Sequence, residues 1–297
     1  MAKVGKASTP GIGGWNVEPR SRNVLVLRCK HPKNRKVTPS PLLLAGDAHW
    51  DNPDCDRDRL ASDFDKALEQ DSPILIGGDF FCAMQGKFDA RSDKNKLRPE
   101  HATGDYLDAL VQTAAEWLEP WKSQIVLICA GNHETSILRH HETNLTARLC
   151  AELRRMGGVA QSGGYTGYVR LLLRTGMFGQ GFRLYYRHGH GGGEGRTHFK
   201  QYAMQAEYDV IWAQHVHHTE IWDTRVAFLN DKDVIMHKTR WHIRTPSYKD
   251  EYKDGFGGFQ VEKGQGPRPK GGAWLHVYQV RSGSNQRYEL HAERTRE

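Results

Sequence analysis

Five short apolar stretches of the sequence run directly into residues that can bind metals or transfer protons. They end in LLLAGDAHW, ILIGGDFF, LICAGNHE, LYYRHGHGGG and VIWAQHVHH. The Asp, Asn and His side chains in these endings are hard and borderline ligands, which suit divalent Mn, Fe, Zn, Co or Ni. The pattern therefore predicts a divalent-metal site built from several separate segments.

The spacing within the motifs supports this prediction. Asp47 and His49 are two residues apart, and His215 and His217 repeat the spacing. Residues i and i+2 of an extended chain point to the same side, so we expect each pair to face one site. Each motif alone also fits a turn or a His-rich surface strand. The five together favour one site at the carboxyl ends of strands, where loops of an α/β sheet converge.

Hydrophobic periodicity predicts the elements that would position these residues. Helical spacing of apolar residues predicts helices over 56–70, 104–122 and 142–156, and apolar runs predict strands before each motif. The first half alternates strands with helices, and the second half is richer in strands. This order predicts an α/β fold, a layered sandwich of two mixed β-sheets flanked by helices.

The 297 residues are expected to form one main domain. Residues 1–22 are predicted to be a basic, flexible N-terminal arm, and residues 23–297 a single domain with loop insertions near 82–101 and 247–272. The second insertion is rich in Gly and Lys, which predicts an exposed connection; a lid over the substrate is the alternative.

The net charge of +7 is concentrated near the N-terminus. Residues 1–40 contain nine Lys or Arg residues against Glu18 alone, which leaves the rest of the chain near neutral. Such an arm could bind the phosphate backbone of DNA or RNA. The alternative is a solvated leader that aids solubility.

Composition bears on location and on cysteine chemistry. No apolar run approaches the roughly 18 residues of a membrane span, and no apolar segment follows the basic N-terminus, so a cytoplasmic protein is expected. The five cysteines include no CxxC pair, which argues against a disulfide framework and against a thiolate zinc site.

Together the motifs resemble those of the calcineurin-like metallophosphoesterase family. The resemblance covers residues 47–217, through Asp47-x-His49, Gly78-Asp79, Gly131-Asn132-His133-Glu134, a His after a strand, and His215-x-His217. The segment HGHGGGEGRTH also resembles phage-encoded members. Two positions depart from the family pattern. Gln214 stands where Gly usually precedes the last motif, and Phe80-Phe81 replaces the Arg-Gly of the Ser/Thr phosphatase branch.

The resemblance implies two metal sites that share Asp79. The ligands of the first would be Asp47, His49, Asp79 and His217. Those of the second would be Asp79, Asn132, His188 and His215. His188 directly follows the strand FRLYYR, and His190 is the alternative at that position.

The resemblance also implies catalytic roles for Asp79 and His133. His133 would lie beside the substrate, where it could donate a proton to the leaving group or stabilise the transition state, and Glu134 could orient His133 or a ligand. Two divalent cations are implied, with manganese as the leading candidate and Fe, Zn, Ni or Co as alternatives.

The expected function is hydrolysis of phosphodiester bonds, of a nucleic acid or a nucleotide, by attack of a metal-bound hydroxide. One alternative is a phosphomonoesterase, including a protein phosphatase. The other is a nucleic-acid-binding protein whose metal site is structural. No membrane partner is expected, and no oligomeric state is predicted.

Overall fold

The α-helices of the described residues lie between positions 57 and 262. The computed structural model describes residues 11–31, 39–84, 97–175, 177–191, 197–282 and 285–296. The α-helices within these residues are α1 (Arg57–Glu69), α2 (Tyr106–Leu118), α3 (Asn132–His141), α4 (Leu145–Arg155), α5 (Thr197–Gln205) and α6 (Phe259–Glu262).

The strands of the described residues form two sheets. They are β1 (Asn16–Ser21), β2 (Val24–His31), β3 (Leu42–Ala45), β4 (Ile74–Ile76), β5 (Ile125–Ile128), β6 (Gln161–Ser162), β7 (Thr166–Thr175), β8 (Phe178–Arg187), β9 (Val210–Ala213), β10 (Glu220–Leu229), β11 (Ile235–Arg244), β12 (Ala273–Ser282) and β13 (Asn285–Arg294).

Both sheets are mixed. The larger has the order β1-β2-β7-β8-β9-β11-β10, and the smaller has the order β13-β12-β3-β4-β5-β6. In the smaller sheet β3, β4, β5 and β6 run parallel, whereas β12 and β13 run antiparallel. In the larger sheet β8, β9 and β11 run parallel to one another. Each sheet therefore presents a group of parallel carboxyl ends.

The main core lies between the sheets, and strand alternation explains how it forms. Leu42 and Leu44 of β3 point into the space between the sheets, where Trp212 of β9 also packs. Leu43 and Ala45 point to the opposite face, among the residues of the helices that cover the smaller sheet. A strand covered on both faces is apolar throughout, which is why β3 reads as a continuous apolar run.

Helices cover the outer faces of both sheets. The cluster on the smaller sheet includes Leu60 of α1, Leu110 of α2 and Leu149 of α4. Phe199 and Tyr202 of α5 pack against the outer face of the larger sheet. The predicted fold, two mixed sheets flanked by helices, is confirmed.

Helices with clear apolar spacing lie where the sequence predicts them. The predicted helices at 56–70 and 104–122 correspond to α1 and α2, and that at 142–156 corresponds to α4. Asp56 caps α1, because its carboxylate accepts a hydrogen bond from the Arg59 amide at 3.0 Å. The sequence analysis predicts no helix at α3, whose first residues, Asn132 to Glu134, carry polar side chains directly after β5.

Part of the predicted flexible arm belongs to the folded domain. Trp15 is fully buried, its indole Nε1 donates to the Ser40 carbonyl at 3.0 Å, and Val17 packs in the core beside it. Residues 16–21 form β1, which pairs with β2. Residues 11–22 are therefore ordered, because their apolar side chains enter the core while Arg20 stays exposed.

Several basic residues of the first 40 positions lie outside the described residues. They are Lys3 and Lys6 of the predicted arm, and Lys33, Arg35 and Lys36 after it; residues 85–96 of the first predicted insertion also lie outside.

The second predicted insertion, 247–272, is packed rather than exposed at several points. Tyr248 is fully buried, and its hydroxyl donates to the Asp63 carboxylate at 2.9 Å. Ser247, Glu251 and Gln260 are also buried. The prediction of an exposed connection is wrong for these residues, because polar contacts that the sequence does not reveal hold them against the domain.

None of the helices in the described residues is long and apolar enough to cross a membrane.

Asp209, just before β9, provides a test of how polar contacts stabilise the larger sheet. Its carboxylate accepts hydrogen bonds from the Arg183 amide at 2.8 Å and from Lys238 Nζ at 2.8 Å. Burial by itself raises the pKa of Asp209, but the hydrogen bonds from Lys238 and the Arg183 amide outweigh it, so the pKa lies below its ordinary value. The ionised carboxylate thus stabilises the fold above pH about 4, and that contribution disappears as the pH falls through the folded-state pKa.

We expect Asp209→Asn to lower the free energy of unfolding at pH 7 by about 1–3 kcal/mol. The difference from wild type should shrink below pH about 4, where wild type loses the same charge. Urea unfolding across pH measures both. The matched control is Asp223→Asn, on the exposed face of β10. An Asp209→Asn deficit that does not change with pH would contradict this account.

Candidate metal centre

The ligand-type residues predicted from sequence meet where the two sheets present their parallel carboxyl ends. Each follows its strand within a few residues. Asp47 and His49 follow β3, Asp79 follows β4, Asn132 and His133 follow β5, His188 follows β8, and His215 and His217 follow β9. Asp47, His49, Asp79 and His188 are each at most 3% exposed. The site therefore draws on five loops and lies largely inside the protein.

The backbone at these positions is unusual. Ten described non-glycine residues have a positive φ, and five of them belong to this site: Asp47, His49, Asp79, His215 and His217. A left-handed conformation costs a non-glycine residue roughly 1–2 kcal/mol. Such strain persists only where surrounding contacts determine it, and it is concentrated at functional sites.

The left-handed turns correct one piece of the sequence reasoning. Strand alternation was expected to align Asp47 with His49, but both residues lie beyond the end of β3, with φ of 48° and 47°. Two amide hydrogen bonds tie this turn to the next loop, from Asp47 N to the Gly78 carbonyl and from His49 N to the Asp79 carbonyl, at 3.1 and 2.9 Å. The pair shares a site because of this turn.

One group of ligand atoms comprises Asp47, His49 and His217, and we call it group one. One potential ligand atom of each residue lies within 4.8 Å of those of the other two. Nε2 of His49 is 3.2 Å from Nε2 of His217, which in turn is 3.8 Å from Asp47 Oδ1. Group one thus joins the loop after β3 in one sheet to the loop after β9 in the other.

A second group comprises Asp79, His188 and His215, and we call it group two. His188 Nε2 lies 3.1 Å from Asp79 Oδ2 and 3.3 Å from His215 Nδ1. Asn132 Oδ1 lies 2.9 Å from the same nitrogen. Ligand atoms bound to one cation at about 2.0–2.2 Å stand about 3 Å apart, so these separations fit a shared cation.

An unpaired buried oxygen also fits a cation. Asp47 Oδ1 is inaccessible to solvent and accepts no hydrogen bond from the described part of the chain. Its neighbours are His217 Nε2 at 3.8 Å and His188 Nδ1 at 3.9 Å. A buried carboxylate oxygen without a partner is costly. The carboxylate, amide and imidazole donors together suit a divalent metal ion.

The protonation of the imidazoles follows from their surroundings. Burial lowers the pKa of His49 well below its ordinary value and that of His215 to about 4. Burial lowers the pKa of His188, but the negative charge of Asp79 outweighs this effect, and the pKa rises to about 9. At neutral pH, His49 and His215 therefore carry a lone pair that a metal can use.

Glu134 organises the turns around group two. Its Oε2 accepts hydrogen bonds from the amides of Asp79 and Gly131, at 3.0 and 2.8 Å, and its Oε1 accepts one from the Phe81 amide at 2.9 Å. Burial and the charge of Asp79 raise the pKa of Glu134 to about 7, while the three amide bonds oppose the rise. A Glu two positions after Asn132, reaching back to Gly131, is a capping signal that could have revealed α3.

The departure at Gln214 has a structural explanation. The Gln214 side chain is buried, and its Oε1 accepts a hydrogen bond from the Gly78 amide at 2.7 Å. The same oxygen lies 3.4 Å from His188 Nδ1. A Cβ atom at Gly77 would lie 2.3 Å from that oxygen, so Gly77 leaves the space that the side chain occupies. Gln214 thereby links the loop after β4 to His188.

His133 is oriented by its backbone and by one ring nitrogen. Its amide donates to Asp79 Oδ1 at 2.9 Å, and Nδ1 lies 2.5 Å from the Cys82 carbonyl, an acceptor that places the proton on Nδ1. The other nitrogen, Nε2, lies 3.8 Å from Asp79 Oδ2. The ring therefore directs Nε2 toward the side of the site where Asp79 lies.

Two residues near the site were missed by the sequence reasoning. Cys82 brings its sulfur within 4.8 Å of ligand atoms of His49 and His133, although no CxxC spacing announced a thiol there. Glu251, from the predicted second insertion, lies 3.0 Å from His217 Nδ1. No local motif identifies either residue, because each reaches the site through the fold.

His188 and His190 lie in different surroundings. His188 is 1% exposed and lies within group two. His190 is exposed, and its ring instead faces His198 and Tyr202, with centroids 5.4 and 6.1 Å away. Residues 192–196, which complete the glycine-rich segment, lie outside the described residues.

Comparisons with known proteins return structural matches only. No protein-family model and no curated protein matches the sequence. One similar solved structure is vacuolar protein sorting 29 from Cryptosporidium parvum, with 10% identity and a TM-score of 0.40, covering 86% of this chain and 98% of that chain. Another is a conserved uncharacterized protein, a predicted phosphoesterase, from Streptococcus pneumoniae, with 11% identity and a TM-score of 0.33, covering 85% and 98%.

A third similar structure is Vps29 complexed with Zn²⁺ from Entamoeba histolytica, with 11% identity and a TM-score of 0.27, covering 85% of this chain and 98% of that chain. The assignment of the fold rests on the chain's own sheet order, and on the ligand-type residues at the carboxyl ends of its strands. These ligand-type residues are the ones that carry the resemblance of the sequence to the calcineurin-like metallophosphoesterases.

The three amide bonds to Glu134 provide a test of how the site is held. Glu134→Gln keeps the size of the side chain but turns one acceptor oxygen into a donor, which faces buried amides. We expect a loss of about 1–3 kcal/mol in the free energy of unfolding of the metal-free protein, measured by urea denaturation. The control is Glu69→Gln, at the exposed end of α1. Equal stability of Glu134→Gln and wild type would show that these bonds do not organise the site.

Proposed function

We propose that this chain is a phosphodiesterase that uses two divalent metal ions, one held by each group. The observation that carries the proposal is the adjacency of the two groups, since Asp47 Oδ1 of group one lies 3.9 Å from His188 Nδ1 of group two. Asn132 Oδ1 lies beside group two and would complete it. Asp79 would be shared by both ions, as the family resemblance implies.

Two such cations, when bound, stabilise charge on a phosphate and supply a nucleophile from water at neutral pH. Manganese is the leading candidate, and Fe, Zn, Ni and Co also suit imidazole and carboxylate ligands. The protein's own contribution is to hold carboxylate, amide and imidazole ligands in place; no thiolate is among the proposed ligands. His49 and His215 support this role, since burial keeps both rings neutral at pH 7.

His133 is proposed to act on the leaving group. Its Nδ1 proton is held by the Cys82 carbonyl, and its amide is held by Asp79. With one side of the ring fixed, Nε2 is the atom that can give a proton to the departing oxygen when the ring is in its imidazolium form, with a proton on each nitrogen. His133 lies next to Asn132 in the chain, which supports a position beside a substrate bound at the metal ions.

The proposed substrate is a nucleic acid or a nucleotide with a phosphodiester bond. The basic composition of the first 40 residues and the His215-x-His217 motif support this choice over a phosphoprotein. Phe80 and Phe81 are buried core residues, so the Arg-Gly pair of the Ser/Thr phosphatase branch has no equivalent there. The alternatives, a phosphomonoesterase and a binding protein with a structural metal site, are outcomes of the same assay.

The assay compares esters that need leaving-group protonation with esters that do not. We expect metal-stripped protein given Mn²⁺ to cleave bis(p-nitrophenyl) phosphate faster than p-nitrophenyl phosphate, and also to cleave a dinucleotide. His133→Ala should lose about 10²–10⁴-fold in the rate of dinucleotide cleavage. It should lose far less on the nitrophenyl diester, since p-nitrophenolate leaves without a proton.

The controls separate the competing functions. Asp79→Asn should lower the bound metal, measured by elemental analysis, together with the activity. Preference for the monoester would indicate a phosphomonoesterase. Bound metal with no turnover of any ester would support the binding protein, and absence of bound metal would contradict the proposal altogether.

The basic N-terminus can be tested without disturbing the core. Because Trp15 and β1 belong to the domain, the deletion should remove residues 1–10 only. We expect it to weaken binding of a DNA or RNA oligomer at low salt, and to reduce the salt dependence of binding, since Lys3 and Lys6 are lost. Fluorescence anisotropy measures both, with cleavage of the nitrophenyl diester as the control for an intact site. Unchanged binding would rule out a role for this segment.

A further inference from the structure

The segment Ser247–Glu251, which we call the strap, contacts the ligands of group one from outside. Ser247 Oγ donates a hydrogen bond to the Asp47 carbonyl at 2.6 Å, and the Tyr248 amide donates to the same oxygen at 3.3 Å. Glu251 Oε2 lies 3.0 Å from His217 Nδ1. The strap therefore touches two of the three residues in group one.

Glu251 is placed to determine which nitrogen of His217 can bind a metal. A carboxylate only accepts hydrogen bonds, so the contact requires the proton of His217 to lie on Nδ1. The lone pair is then on Nε2, the atom that faces His49 Nε2 at 3.2 Å and Asp47 Oδ1 at 3.8 Å. Metal-binding histidines commonly use such a carboxylate to fix the ring and to increase its basicity.

The charge of Glu251 is balanced within the strap. Glu251 is only 7% exposed, and its second oxygen accepts a hydrogen bond from Lys249 Nζ at 2.9 Å. Arg268, further along the same loop, donates to the Val216 carbonyl at 2.7 Å and fixes the backbone beside His217. Both contacts keep the Glu251 carboxylate and the His217 imidazole in position beside each other.

The contacts of the strap are confined to one group. Group two is supported from other segments, since Glu134 holds the Asp79 amide at 3.0 Å and Gln214 lies 3.4 Å from His188. In the described residues, the side-chain hydrogen bonds of Glu251 are with His217 and Lys249 and involve no member of group two. Different parts of the chain thus support the two groups.

We propose that Glu251 is a positioning residue that orients His217 and sets the metal affinity of group one without changing that of group two. The inference rests on the proposed metal centre. It makes the loop at 247–272 part of that centre, and it gives the two ions separately adjustable affinities.

The experiment isolates each group before Glu251 is changed. His215→Ala removes a group-two ligand and leaves group one, whereas His49→Ala does the reverse. Mn²⁺ is titrated into metal-stripped protein by calorimetry, with bound metal counted by elemental analysis. In the His215→Ala background, adding Glu251→Ala should weaken Mn²⁺ binding about 10–100-fold. In the His49→Ala background, adding it should leave binding unchanged.

Further variants distinguish positioning from general damage. Glu251→Gln keeps the size of the side chain and an acceptor oxygen for Nδ1, so it should recover part of the lost affinity. Lys249→Met retains the contact between Glu251 and His217 and should affect binding less than Glu251→Ala. Glu262→Gln, exposed on α6 in the same loop, should bind like wild type. Thermal unfolding of each metal-free variant checks that the fold is intact.

The outcomes distinguish failure of the role of Glu251 from failure of the proposed function. Equal weakening in both backgrounds, or no weakening in either, would overturn the role of Glu251. Two bound ions without turnover of any phosphate ester would overturn the proposed function alone. The Mn²⁺ affinities of the variants would still test the role of Glu251. Absence of Mn²⁺ binding in wild type would overturn both.

Discussion

The two carboxylates and four imidazoles of groups one and two lie close together at the ends of the sheets. The cost of burying their charges determines which contacts the surrounding residues must supply. Asp47 and Asp79 are at most 2% exposed. Withdrawing a carboxylate from water costs several kcal/mol unless partners compensate it. Histidine rings approach both residues, yet one oxygen of Asp47 accepts no hydrogen bond from the described part of the chain. Electrostatics thus favour a cation at the same place that the ligand geometry does.

The backbone around the site carries a second cost, and the contacts behind the ligands offset it. Left-handed conformations at Asp47, Asp79 and His217 direct the side chains inward. Amide hydrogen bonds to the carboxylate of Glu134 and to the amide oxygen of Gln214 hold the adjoining turns. The site is therefore maintained by buried polar groups, which is why an isosteric change at one of them is informative.

Features with a local signal could be predicted from the sequence, and features formed at long range could not. Apolar spacing located α1, α2 and α4, and the ends of apolar runs located the ligand-type residues. Helix α3 was missed, since its opening residues follow a strand without a break and carry polar side chains. The predicted flexible arm is too long at its C-terminal end. The basic residues near Trp15 are typical of an exposed segment, but a short strand there enters the core.

The same distinction holds within the site. Asp47 and His49 were paired for a reason that proved wrong, since a left-handed turn aligns them rather than strand alternation. Glu251 lies 34 residues from His217 in the chain, so no spacing rule could have joined them. Positive φ values and side-chain contacts between distant segments depend on the finished fold, and a single sequence records only the residues that make them possible.

Placing the ligands on both sheets makes the site part of the architecture. Group one joins Asp47, after β3 of the smaller sheet, to His217, after β9 of the larger. Two hydrogen bonds cross the same boundary, from the His215 amide to Asp47 Oδ2 at 2.9 Å and from the Gly78 amide to Gln214 at 2.7 Å. A cation held there adds its binding free energy to the docking of one sheet on the other, because the unfolded chain has no such site. The apolar core packs the two sheets face to face, and these hydrogen bonds join them at the end where the ligands lie.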